Sequence, residues 1–140
     1  MFKKILLAFD GSEGASRALD AGLELARLHQ AELWALAVEE GLPRFSATID
    51  EVEEEKAYAN QHADQVLAAA QARAQDAGRE LKTLRQAGHP AQTIIKVARE
   101  GKVDLILVGH SGLSGVWAAF LGTTAEKVSR HAPCSVLIVR

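Results

Sequence analysis

The chain has 140 residues, 48% hydrophobic and 24% charged, with a formal charge of −2 and one cysteine. That length suits one core-bearing domain over 1–140, and the near-neutral charge offers no basic face for nucleic acid. Cys134 has no partner for an internal disulfide, and the opening apolar run ends at Asp10, too short for a signal segment or a membrane span; a cytoplasmic location is expected.

Apolar and amphipathic runs alternate along the chain. Ile5–Phe9 reads as a buried strand. Ser12–His29 carries Ala15, Ala18, Leu19, Gly22, Leu25 and Ala26 at helical spacing. Glu32–Val38 is a second strand, and Glu39–Thr48, with Gly41 and Pro43, is a loop. The acids of DEVEEE, 50–55, suit the positive end of a helix dipole. That helix runs to Ala77, with Ala59, Ala63, Val66, Leu67, Ala70 and Ala74 on its inner face. Glu80–Arg85 alternates weakly, as an edge strand does. Pro90 opens a helix that Gly101 stops. Asp104–Val108 is another apolar strand, Thr123–His131 a short helix closed by Pro133, and Ser135–Val139 the last strand.

Strands alternating with helices imply a three-layer α/β architecture: an open parallel five-stranded sheet with right-handed crossovers and helices on both faces. The weak third strand belongs at an edge, and the apolar first and fourth belong in the centre. The expected order is 3-2-1-4-5, with the topological switch between strands one and four. Ligands bind beyond the carboxyl ends at such a switch. Asp10 follows strand one and Gly109 follows strand four, so both face the expected cleft.

The segment GHSGLSGVWAAFLGTT, 109–124, places Gly109, Gly112 and Gly122 ahead of Thr123 and Thr124. Glycine lets the main chain approach a ligand closely. A helix opening at Gly122 presents unpaired N–H groups at its positive end, which suit phosphate oxygens. A ligand-free explanation competes, because Thr123-x-x-Glu126 is also a capping box.

The same segment resembles the G-x2-G-x9-G-[ST] signature of the universal stress protein family, in its ATP-binding branch. The likeness continues through KKILLAFDGSEGASRAL, VDLILVGHSGLSG and LGTTAEKVSRHAPCSVLIVR, almost from end to end. The resemblance implies a Rossmann-like fold that binds ATP, or ADP or AMP, usually with a divalent metal such as Mg²⁺ or Mn²⁺. Carried over by position, Asp10 would accept from ribose hydroxyls and the Val38 backbone would meet the adenine edge. Val108 and Gly109 would line the ribose and phosphate floor, with Gly112, Gly122, Thr123 and Thr124 around the phosphates.

The chain departs from the family pattern in two places. VWAAF, 116–120, is apolar where relatives often carry a basic or polar residue, and His110-Ser111 replaces a serine and a basic residue. No lysine or arginine falls between Gly109 and Glu126. A triphosphate would then depend on backbone dipoles, hydroxyls and a metal ion.

Other residues have plainer alternatives. Asp10-Gly-Ser-Glu13 can cap the first helix, and capping by Ser12 would free Asp10. His110 could contact phosphate or simply be solvated. His29, His62, His89 and His131 lack metal-ligand spacing. Cys134 reads as a small buried thiol. Trp117 and Phe120 form either a lid, a surface for an unidentified protein partner, or part of their own core. An apolar edge strand at Ser135–Val139 favours a homodimer, paired with its copy across a two-fold axis; the family resemblance points the same way.

No G-x4-G-K-[ST] is present, and FDGSEG after strand one is no dinucleotide fingerprint. A response-regulator receiver would need an aspartate where Gln86 stands. The expectation is a nucleotide-responsive binding module without catalytic residues. A slow ATP hydrolase, with His110 as its only conceivable base, and a nucleotide-free dimeric adaptor are the alternatives.

Overall fold

Ile5, Leu6 and Leu7 are all at most 1% exposed although their side chains alternate between two faces, so the strand that carries them is covered on both sides. This strand is β1, Lys4–Ala8. The chain continues through α1 (Glu13–His29), β2 (Glu32–Glu39), α2 (Ile49–Asp76), β3 (Lys82–Ala87), α3 (Pro90–Glu100), β4 (Leu105–Gly109), α4 (Thr123–His131) and β5 (Ser135–Val139). The computed structural model describes residues 1–40, 48–110 and 121–140. Gly112, Trp117 and Phe120 lie outside the described residues.

The strands form one parallel sheet in the order β3-β2-β1-β4-β5, as the alternation of apolar and weak strands predicts. Side-chain alternation along β1 sorts the helices. Ile5 and Leu7 pack with Ala18 and Leu19 of α1 and with Leu67 and Ala70 of α2. Leu6, between them, packs on the other face with Ile94 of α3 and Val128 of α4. Burying each such side chain contributes roughly 1.5–3 kcal/mol, so this two-sided core dominates the stability of the fold. The edge strands are the more exposed ones: β3 has no buried residue, and neither has β5.

β3 begins and ends two residues later than its weak alternation predicts. The ladder explains the shift. β2 extends to Glu39 and supplies partners for Gln86 and Ala87, and the amide of Gly88 still donates to the Glu39 carbonyl at 2.9 Å.

Two helices carry side-chain caps. Ser12 Oγ accepts from the Ala15 amide at 3.1 Å at the start of α1. Thr48 and Glu51 form a reciprocal capping box at the start of α2. Asp10 therefore does not cap α1. Its Oδ1 accepts from the Ser12 amide at 2.9 Å and shapes the turn leading into the helix. The Thr123-x-x-Glu126 box does not form either: Gly122 is the N-cap and Thr123 already lies inside α4.

Candidate functional site

The β1–β2 ladder stops where the Phe9 amide donates to the Leu36 carbonyl at 2.9 Å. Backbone groups of a parallel strand alternate sides, so Val38 is the next residue of β2 to face β1, and β1 has already ended. Gly109 likewise lies two residues past Leu7↔Leu107, the last β1–β4 pair. Val38 and Gly109 flank the crevice that opens beyond β1.

A cavity of about 670 Å³ fills that crevice. Of the residues predicted from sequence, Asp10, Val38, Val108, Gly109, Gly122, Thr123 and Thr124 line it. His110 does not. It is 9% exposed, its amide donates to the Val139 carbonyl at 2.8 Å, and its Nε2 lies 3.4 Å from an Arg140 guanidinium nitrogen. Gly112 falls outside the described residues. A second cavity, about 290 Å³, lies at the opposite sheet edge beside Arg27 and Arg79 and contains none of these residues.

The phosphate-suited end is built from bare helix starts. α4 begins at Gly122 without a side-chain cap, and α3 begins at His89 and Pro90 without one. Among the described helices these are the two that lack such caps, and Pro90, Gly122, Thr123 and Thr124 line the cavity. Proline has no N–H and the Gly122 amide donates to the His110 carbonyl, which leaves the amides of Thr123 and Thr124 at the α4 start. Uncapped N–H groups at a helix's positive end attract anionic oxygens. The Thr123 and Thr124 hydroxyls sit at the same place and can donate as well.

Gly109 is needed for packing too. A Cβ there would lie 2.8 Å from the Gly14 carbonyl carbon and 3.0 Å from its oxygen. The first turn of α1 thus sits against the end of β4, and Gly109 is explained without a ligand. The φ of Gly122 is −61°, open to any residue, so backbone conformation does not account for glycine at that position.

Sequence reasoning missed the wall that α2 contributes. Ala59, His62, Ala63 and Val66 line the cavity, as do Glu39 and Glu40 at the end of β2. The signal was present in part, because Ala59, Ala63 and Val66 share the inner face of the predicted helix. Glu39 is held by Arg85 at 3.2 Å, and Arg85 also bonds Asp64 at 2.7 Å. This bridge ties α2 to the ends of β2 and β3.

Among the described residues, no group of three or more His, Cys, Asp or Glu is placed to hold a metal ion. Cys134 lies away from the cavity; partial burial, reinforced by the charge of Asp104, raises its thiol above the ordinary range. No described helix is long and apolar enough to cross a membrane.

A doubly wound parallel sheet with a cavity at its topological switch places the chain in the α/β class whose ligands bind beyond the carboxyl ends of the strands. The model of the universal stress protein family matches residues 1–140, and the chain belongs to that family. It is 38% identical to universal stress protein YxiE of Bacillus subtilis (strain 168), with all of both chains aligned. Among solved structures, universal stress protein UspA from Lactobacillus plantarum is 30% identical with a TM-score of 0.88, covering 99% of this chain and 98% of that one. A universal stress protein in complex with cAMP is 27% identical with a TM-score of 0.75, covering 99% and 96%.

Proposed function

We propose that this chain binds an adenine nucleotide in the carboxyl-edge cavity and acts as a dimeric, nucleotide-responsive binding module in the cytoplasm. One observation carries the reading. Seven residues scattered from Asp10 to Thr124 line a single cavity of about 670 Å³, into which the two helix starts without side-chain caps open. The cAMP complex of a related protein supports an adenine ligand.

In this reading the second carboxylate oxygen of Asp10 accepts ribose hydroxyls, since Oδ1 is engaged by Ser12. The Val38 backbone, past the end of β1, reads the adenine edge. Gly109 and Val108 form the floor, and the amides of Thr123 and Thr124 hold phosphate, that of Gly122 being given to the His110 carbonyl. ATP is a candidate ligand, together with Mg²⁺ or Mn²⁺. Such an ion would be held chiefly by phosphate oxygens and water, with at most one or two carboxylates. The residues of the cavity bind and orient. Among the described residues lining it, none is a lysine or arginine poised to stabilise a phosphoryl-transfer transition state, which favours binding over turnover.

The dimer would form through Ser135–Val139. β5 pairs only with β4, and its outer edge is unpaired among the described residues. Antiparallel pairing with a second copy would satisfy that edge.

Mass spectrometry of nucleotide released from the purified protein, together with thermal shift in the presence of ATP, ADP, AMP and cAMP, tests the binding claim. A released adenine nucleotide or a rise in melting temperature is expected. No released nucleotide and no shift with any of the four would contradict it.

A further inference from the structure

We infer that the cavity selects nucleotides carrying a single phosphate group, linear or cyclic, over ATP whenever no divalent cation is present. This rests on the adenine-nucleotide reading above and concerns which member of that class binds.

The charges around the cavity decide the point. Among the described residues lining it, the charged side chains are Asp10, Glu39 and Glu40, and none is lysine or arginine. The cation nearest in bonding terms, Arg85, is shared between Glu39 and Asp64 and leaves that triad one negative charge in excess. Asp10 and Glu40 add one each. In sequence, residues 109–126 contain no lysine or arginine.

Attraction for phosphate therefore comes from helix ends. An uncapped helix start is equivalent to roughly half a positive charge, so α3 and α4 together supply about one. That matches the single charge of a phosphodiester and approaches the nearly two charges of a terminal phosphate. A triphosphate carries further anionic groups with no matching cation, in a crevice that already holds three carboxylates. At separations of around 10 Å and an effective dielectric constant near 20, each unmatched pair weakens binding by roughly tenfold. A bound divalent cation would cancel most of this penalty, because it neutralises the polyphosphate before the carboxylates meet it.

Isothermal titration with cAMP, AMP, ADP and ATP in EDTA, at low and at high salt, provides the test. The expected order is AMP and cAMP tightest, with ATP at least about tenfold weaker at low salt. The gap should narrow at high salt, with Mg²⁺, and in Glu40→Gln, which removes an exposed carboxylate without disturbing the core. Repeating the series on Arg44→Gln removes the one cation of the 41–47 stretch, and the same order is expected. ATP binding in EDTA as tightly as AMP at low salt, or a gap unmoved by salt and by Glu40→Gln, overturns the selection. Binding by none of the four overturns the nucleotide reading itself, and the selection with it.

Discussion

The carbonyl of His110 accepts the amide of Gly122 at 2.8 Å, which ties the end of β4 to the start of α4. The amide of the same residue donates to Val139 at the end of β5. His110 thus links the carboxyl-edge cavity to the exposed edge of the sheet through its backbone, while its imidazole is buried beside Arg140. The imidazole is not among the groups that line the cavity.

His110→Gln should leave nucleotide affinity within about twofold of the parent, because the backbone bonds survive the substitution. It should also leave any residual hydrolysis unchanged. Titration calorimetry and a phosphate-release assay read the two quantities. Loss of turnover at unchanged affinity would identify His110 as a catalytic base and favour an enzyme.

Gly109→Ala should destabilise the fold by about 1–3 kcal/mol, since the new methyl group meets the Gly14 backbone rather than a movable side chain. Urea denaturation measures the loss. Gly78→Ala serves as the comparison. Its φ of +67° carries a conformational cost of about 1 kcal/mol, but nothing lies within 4 Å of the added carbon. Gly109→Ala should cost more than Gly78→Ala, and a Gly109→Ala cost no larger than that of Gly78→Ala would refute the close packing of α1 on β4.

Asp20 on α1 accepts two bonds from Arg73 on α2, both at 2.6 Å. The Arg73 hydrogen bonds hold its carboxyl below the ordinary value, against a smaller opposing effect of burial. A depressed carboxylate contributes stability that is complete above its unfolded value of 3.8 and is lost as pH falls through the lower folded value. The difference in stability between the parent and Asp20→Asn should be constant from neutral pH down to about 4 and then shrink. Both side chains are about half exposed, so it should stay below about 1 kcal/mol. Denaturation at a series of pH values checks this; a difference that grows on acidification would reverse the assigned sign.

Light scattering at micromolar concentration should give twice the 15.0 kDa chain mass. Leu137 is 39% exposed on β5, and Leu137→Lys should shift the mass toward the monomer by placing a charge on the pairing edge. A monomeric parent would remove the dimer.

The sheet order was readable because burial on both faces writes itself as unbroken apolar runs, in Ile5–Phe9 and in Leu105–Val108, whereas Glu80–Arg85 lacks one. The ends of elements were harder to read. β3 slid toward its partner because strand length is set by the neighbouring ladder, which local alternation does not encode. The Thr123-x-x-Glu126 pattern suggested a cap, yet Gly122 leaves the helix first, and a sequence pattern cannot tell which of two adjacent residues does so. Thr48 was the opposite case: its capping box with Glu51 stood in the sequence beside the acids that marked the helix. Asp10 and Gly109 were legible as cavity positions because the switch point fixes where strand ends converge, the residues around Gly122 from the glycine pattern, and Val38 only through the family resemblance. His62 was not, since its place depends on how α2 lies across the end of the sheet.

The most direct test follows backbone amides of isotope-labelled protein by NMR while AMP is added. Saturable shifts concentrated at Val38, Gly122, Thr123 and Thr124, with the amides around Arg27 and Arg79 unmoved, are expected. Unchanged amides at Gly122, Thr123 and Thr124 under saturating AMP, or shifts centred on the opposite sheet edge, would contradict the assignment of this cavity as the phosphate cradle.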